Sequence, residues 1–348
     1  MNYLVSEPVT AKARELILAL WGRNLPLATA RRYDWLYETG PGKSWVATTF
    51  SGDLVGSTGL IGRTMKLHDR LCRAGQAIDL NVDAEHRTVG PALKLQRAVT
   101  GSLAERKMPL IYAMPSPQAV PVVKRIGYRL LGTIESWTKP LRSEYKLREY
   151  LKRPLAAKAA AFVVDQALRF TSAERKHALP AGFRVEFVSS FDARFDELWQ
   201  AASREFGIIG ERNAAYLNWR YASNPDAAYR TLCLVDRTNR LLGYIVYYGD
   251  DQGFVSMSDF LYADPAVLDA LLAEFIRHLR TERVNAIYCP FFGTHAVTKA
   301  LSKFGFSRRV SHRQLYVYLE KDCPGTDLAG VLDREQWFLT KADSDTDV

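Results

Sequence analysis

No apolar run in this sequence approaches the ~18 residues that a membrane-spanning helix requires, and Met1 to Glu15 lacks a basic start followed by an apolar stretch. The expectation is a cytoplasmic protein without a transmembrane segment. Cysteine is equally sparse: Cys72, Cys233, Cys289 and Cys323 are widely separated, with no CxxC and no Cys/His pairing. That spacing supports neither a disulfide framework nor a zinc site, so the four are expected as reduced, mostly buried thiols and no metal is expected. Nor is there a compositional sign of disorder, since 47% hydrophobic and 24% charged residues are the proportions of an ordinary globular chain.

What is present begins with length. At 348 residues the chain exceeds what one core usually fills, so two domains of roughly 150 residues are expected. The formal charge of +9 favours an anionic partner, but sign alone does not choose among nucleic acid, a lipid surface and a phosphate-rich cofactor. Basic residues gather from Lys139 to Lys158, opposed only by Glu144 and Glu149, and read first as a solvated helix between domains.

Two patterns recur in the same order in both halves. Trp35-Leu36-Tyr37 precedes a Gly-Pro-Gly turn, a strand from Ser44 to Phe50, a turn at Gly52-Asp53 and a second strand through Gly56. Trp219-Arg220-Tyr221 precedes Asn224-Pro225, a strand from Tyr229 to Val235, a turn near Asn239 and a strand from Gly243 to Tyr248. Next come the strands Gln76 to Val82 and Phe254 to Tyr262, centred on Asp79 and Asp259, each followed by an amphipathic helix, Ala92 to Arg106 or Ala266 to Arg280. Buried strands then run into Pro115 and Pro290, and short helices end at Gly127-Tyr128 and Gly305-Phe306. The alternation predicts an α/β fold, a mixed sheet with helices on both faces in each half. The expected division is 1–140 and 181–322 as the two domains, 141–180 as a basic, Ala-rich helical linker, and 323–348 as a loose acidic tail.

The sharpest signal follows the strand Gln76 to Val82. Arg87-Thr88-Val89-Gly90-Pro91-Ala92 reads RxxGxA at a helix start, where backbone N–H groups and the positive end of the helix dipole can receive a phosphate. Gly90 permits close approach, Pro91 suits the first turn, and Ala92 keeps the wall low. With its strand and helix, and with every element from about residue 5 to 140 in family order, this loop resembles the pyrophosphate loop of the GNAT acyltransferase superfamily. The whole chain then resembles two tandem domains of that kind, the second degenerate. The resemblance implies a sheet splayed open after the Gln76 to Val82 strand, with acyl-CoA in the opening. It implies that Leu80, Asn81 and Val82 offer backbone groups to the pantetheine arm and thioester, that Arg87, Thr88, Val89, Gly90, Pro91 and Ala92 hold the pyrophosphate, and that Ser116 contacts the cofactor. The second copy departs here: Tyr262 to Ala270 has no glycine, is shortened, and carries Asp264 and Asp269, which would repel phosphate. It is not expected to hold CoA in the usual manner.

Catalytic groups are less sharply marked. Attack of an amine on a thioester needs a proton acceptor, a donor to the carbonyl oxygen and an acid for the departing thiolate. Asp79 stands near the position where the family often places an acid, though Asp259 repeats it in the copy expected to be inactive. Where many relatives have a thiolate-protonating Tyr, this chain has Val123, leaving Tyr112 or water as substitutes. Asn81 is the candidate for polarising substrate. His86 and His295 read as surface, cap or turn residues.

These features predict an acyl-CoA-dependent N-acetyltransferase that uses acetyl-CoA and acts on a primary amine of a small molecule or sugar precursor. A Fem-type transferase using aminoacyl-tRNA is an alternative. The RxxGxA loop and the lack of a long charged hairpin in the second half speak against it and against a nucleic-acid partner. A non-catalytic acyl-CoA-binding module is the third reading, suggested by Val123.

Overall fold

The computed structural model describes residues 3–8, 11–25, 28–87, 89–151, 153–320, 328 and 330–344. The first half opens with β1 (Leu4–Ser6), α1 (Ala11–Asn24) and α2 (Ala30–Tyr33), then β2 (Gly42–Thr48), β3 (Leu54–Leu67) and β4 (Arg70–Val82). It continues with α3 (Val89–Gly101), β5 (Leu110–Ala113), α4 (Val120–Ile126), β6 (Arg129–Thr133) and β7 (Glu135–Pro140). Two helices follow, α5 (Glu144–Tyr150) and α6 (Pro154–Phe170). The second half runs β8 (Arg184–Val188), α7 (Ala193–Ala202), β9 (Ile208–Gly210), α8 (Ala214–Leu217), β10 (Arg230–Val235), β11 (Leu241–Gly249) and β12 (Phe254–Tyr262). It closes with α9 (Pro265–Thr281), β13 (Ala286–Gly293), α10 (His295–Lys303), β14 (Ser307–Arg309), β15 (Gln314–Leu319) and β16 (Trp337–Leu339).

Each half is a mixed sheet in which one pair, β4 with β5 or β12 with β13, is parallel, as a crossover helix between consecutive strands requires. The halves exchange strands. A single residue, Ile134, separates β6 from β7, too few for a hairpin, so the chain runs straight on. β7 inserts between β13 and β14 of the second half. Reciprocally, β15 inserts between β5 and β6 of the first. A seam of β9 and β16 links β3 to β13 and makes the sheet continuous. The predicted boundaries at 140 and 322 are therefore crossed in both directions by the strands next to them.

The repeat read in the sequence has a physical counterpart at this junction. Asp34–Glu38 and Asn218–Ala222 each form a π-helical turn, and their indoles, Trp35 and Trp219, stack with centroids 4.9 Å apart and planes 16° from parallel. Each indole N–H donates to the other tryptophan's carbonyl, at 2.9 Å from Trp35 and 3.4 Å from Trp219. Such a self-matching contact belongs to a two-fold relation between equivalent elements.

In the first half, α3 and α4 cover one face of the sheet, with Leu95, Val99 and Val123 packed on Trp45, Leu60 and Ile111. α1 covers the opposite face through Ile17 and Trp21. The expected loose tail requires correction: residues 330–344 return into the molecule, and Trp337, Phe338 and Asp343 are wholly buried. The apolar run Trp337-Phe338-Leu339 pays for its ordering by burial, and Asp343 is neutralised inside by Arg63 and by Arg212 at 2.8 Å. Cys323 and most of the residues after Lys321 up to Ala329 lie outside the described residues, while Cys72, Cys233 and Cys289 are free thiols. Lys139, read as part of a solvated basic run, is buried instead, with its ammonium donating to the Phe304 carbonyl at 2.6 Å and lying 3.6 Å from Glu174. Among the described residues no helix is long and apolar enough to cross a membrane.

Candidate functional site

β4 and β5 pair only from Gly75 to Ala77 and from Ile111 to Ala113, then diverge. The divergence begins next to a bulge in β4: the β3 register jumps from Gly59 opposite Ile78 to Ser57 opposite Asn81, and Asp79 adopts φ +52°. Aspartate tolerates the left-handed region better than most residues, and a bulge bends its strand away from its neighbour. The resulting opening encloses about 440 Å³ between the strands and the start of α4. Leu80, Gln96, Ser116, His312 and Arg313 are among its walls.

The bulge is held from the opposite side. The Asp79 carboxylate receives Arg32 Nη1 at 3.1 and 3.2 Å and the Tyr37 hydroxyl at 2.7 Å. Gly59 makes this possible, because a Cβ there would overlap the Tyr37 hydroxyl. Burial, and after it the adjacent Asp79 charge, pushes Tyr37 well above the usual phenol range, so it serves Asp79 as a proton donor. The second half repeats the device: Asp259 receives Arg212 at 3.0 Å and Tyr244 at 2.9 Å.

The other residues singled out by sequence are distributed unevenly. Leu80 and Ser116 line the opening. Asn81 is buried and is not among the walls of the opening, and its Nδ2 has no hydrogen-bond partner among the described residues; the hydroxyl of Ser57, its cross-strand neighbour, is in the same condition. The Val82 carbonyl accepts from Arg87 Nε at 3.3 Å and from Asn24 Nδ2 at 3.4 Å. Tyr112 is not brought to the opening. It is fully buried on the other face, where its hydroxyl donates to Gln76 at 3.3 Å and lies 3.4 Å from Arg63 Nη1, and burial raises it well above the ordinary phenol range. The reason is strand alternation: Ala113 faces the opening, so Tyr112 faces away.

At the end of β4 the chain turns through Ala84–His86 into α3, which begins at Val89, three residues before the sequence reading placed it. Gly90 is exposed in the first turn, whereas Pro91 and Ala92 are buried, which leaves only their backbone for a ligand. Exposed Arg87 is tethered by Nη2 to Asn24 at 3.0 Å. Asp83 lies 2.5 Å from Arg23, and that bond holds its carboxyl below the usual range. Thr88 lies outside the described residues. The exposed glycine, the neighbouring guanidinium and the 13-residue helix fit a diphosphate.

The corresponding places in the second half are filled by the protein itself. Asp264 caps α9, accepting from the N–H groups of Ala266 and Val267 at 2.8 and 3.0 Å, so a carboxylate already occupies that helix start. Between the diverging β12 and β13 lies the Phe338 ring, with centroids 5.2 Å from Phe260 and 5.4 Å from Phe291.

Sequence reasoning missed Arg32, Gln96, His312 and Arg313. Gln96 carried a faint signal as a polar residue on the inner side of an amphipathic helix; its amide donates to Thr58 at 3.0 Å. His312 and Arg313 carried none, because they reach the first half's opening only through the exchanged β15.

Residues 8–131 match the family described as acetyltransferase (GNAT) domain. No curated protein sequence matches the chain. Among solved structures, the chain is similar to an Enterococcus faecalis protein of unknown function, a probable N-acyltransferase, at 13% identity and TM-score 0.67, covering 92% of this chain and 72% of that one. A GCN5-related N-acetyltransferase from Anabaena variabilis matches at 12% identity and TM-score 0.66, over 91% and 73%. Saccharomyces cerevisiae N-myristoyltransferase with bound myristoyl-CoA matches at 12% identity and TM-score 0.55, over 91% and 82%. At such identities the structural likeness speaks for fold. Residues 8–131 thus match an acetyltransferase (GNAT) domain, and the chain as a whole shares the fold of these N-acyltransferase structures.

Proposed function

We propose that the protein is an acyl-CoA-dependent N-acyltransferase of the cytoplasm, with acetyl-CoA as donor and a primary amine of a small molecule or sugar precursor as acceptor. The observation that carries this reading is the opening between β4 and β5, with an exposed helix start at the end of the same β4. Acyl-CoA, when bound, supplies an activated thioester. Arg87 and the backbone from Thr88 to Ala92 hold its diphosphate, the backbone of Leu80, Asn81 and Val82 aligns the pantetheine arm, and Ser116 contacts it from the α4 side.

The proton chemistry falls to other groups than those the sequence suggested. Asp79 is consumed by Arg32 and Tyr37, so it shapes the bulge and sets the strand in place. His312, on the wall of the opening, is the imidazole suited to take the amine proton. Ser116 or water protonates the departing thiolate in place of Tyr112. The second half closes the acceptor cleft through His312 and Arg313 and takes no cofactor of its own.

Calorimetric titration with acetyl-CoA, followed by thiol release against a panel of amines, tests this. Binding with turnover supports the enzyme, and binding without turnover for any amine or acyl length supports the acyl-CoA-binding module, for which the engaged Asp79 and remote Tyr112 also speak. Absence of acyl-CoA binding, with tRNA binding in its place, overturns the proposal.

A further inference from the structure

Helix α6 carries an apolar face that nothing among the described residues covers. Its inner side is seated by Ala157 and Ala161, both buried, and by Asp165, which accepts from the Ser143 N–H and hydroxyl at 2.7 Å each. Its outer side presents Leu155, Phe162, Val163 and Phe170, exposed by 83, 66, 68 and 66%. At about 100° per residue these four, with Ala156, Ala159 and Ala167, fall within an arc of roughly 140° interrupted only by Gln166. A helix that packs on its own protein turns such an arc inward; this one turns it to solvent.

The arc borders a groove of about 1,100 Å³ between α6 and the C-terminal end of α9. The groove's wall holds six arginines against Asp165 and Glu174. Arg280 is consumed by Glu174 at 2.8 Å, Arg277 by Glu274 and backbone carbonyls, and Arg142 lies 3.6 Å from Glu144. Among the described residues Arg169 and Arg283, both exposed, have no ion-pair partner, and neither has Lys158 on the flank of the arc. Arg175 stands over the Phe170 ring, 4.8 Å from its centroid, which joins the cationic groove to the apolar face.

We propose that this face docks on an anionic membrane surface. Helix α6 lies in the plane of the interface with Leu155, Phe162, Val163 and Phe170 among the acyl chains, while Lys158, Arg169, Arg175 and Arg283 meet lipid phosphates. Wide apolar arcs flanked by cations partition in this way, with burial and charge attraction adding together. Charge selects this occupant over a second copy of the chain. A facing copy would set the same unmatched arginines against each other, and each carries a formal charge of +9. The inference is independent of the acyl-transfer reading.

Flotation of the full chain with phosphatidylcholine vesicles, and with vesicles containing about 30% phosphatidylglycerol, tests it. Binding to the anionic vesicles alone, weakened by salt, is expected. Phe162→Asp with Phe170→Asp should cut partitioning by about tenfold or more. Arg169→Gln and Arg283→Gln should each cut it about fivefold. Circular dichroism and acetyl-CoA titration should be unchanged in all of these variants, since the residues are exposed and remote from the β4–β5 opening. No binding to anionic vesicles overturns the proposal, as does binding indifferent to the two Phe substitutions. So does a dimer in solution that those substitutions dissociate while vesicles go unbound.

Discussion

Replacing Gly90 by Glu separates cofactor binding from folding, because the two respond with opposite sign. Gly90 is exposed in the first turn of α3. In the free protein the change removes a helical glycine, which costs about 0.5–1 kcal/mol relative to alanine, and adds an acid at the favourable end of the helix dipole. The unliganded variant should therefore be at least as stable as the parent, with Tm equal or up by about 2 °C. A diphosphate seated on this turn would have a carboxylate about 5 Å away. Two phosphate charges at that distance are repelled by about 0.8 kcal/mol each even in a water-like dielectric, and more where the cleft excludes water. A total near 2 kcal/mol corresponds to about thirtyfold weaker binding. Calorimetry with acetyl-CoA reads that loss, and acetyl-pantetheine, which lacks the diphosphate, should bind parent and variant alike. An unchanged acetyl-CoA affinity would refute the assigned loop, and so would an equal loss with acetyl-pantetheine.

Other expectations follow from the same geometry. His312→Gln should lower kcat about a hundredfold while the acetyl-CoA Kd stays within twofold, as about the lower bound for loss of a proton acceptor; an unchanged kcat removes His312 from the chemistry. Asp343→Asn strands Arg63 and weakens Arg212 in the interior, costing about 3–5 kcal/mol and roughly 10 °C in Tm. Burial alone would raise the Asp343 pKa, but Arg212 and Arg63 outweigh it and hold it below the ordinary value. Its stabilisation is then full above the unfolded pKa and is lost as pH falls through the folded one. The gap in Tm between parent and variant should stay constant above about pH 5 and narrow below about pH 4. A fragment of residues 1–140 lacks β15, the strand that β5 and β6 both pair with, and should fail to give a cooperative melt, whereas co-expression with 141–348 should restore one.

The second half keeps the fold while its own residues occupy the places that correspond to the opening of the first. Asp264 at the start of α9 and Phe338 between β12 and β13 fill the places that remain open around Gly90 and Leu80. Both fillings use ordinary stabilising contacts, a helix cap and aromatic burial. Both add to the stability of the second half, which also supplies the wall at His312.

The sequence by itself determined the repeat, the order of elements, and the contrast between the glycine-containing stretch Arg87 to Ala92 and its shortened, glycine-free counterpart in the second half. These are properties of local pattern: periodicity, turn residues, and charge next to a helix start. Only the tertiary structure decided how the halves are joined, because strand exchange depends on which edges are free in space and not on how either strand reads alone. It likewise decided the roles of particular side chains. Asp79 and Tyr112 both read as catalytic candidates on their strands; Asp79 stays at the wall of the opening but is engaged by Arg32, and alternation turns Tyr112 away from the opening. Asp343 looked like solvated tail, and two arginines more than 100 residues away in sequence draw it into the core. Pairings over such distances leave no mark in local pattern, since they are selected by the geometry of a whole folded chain.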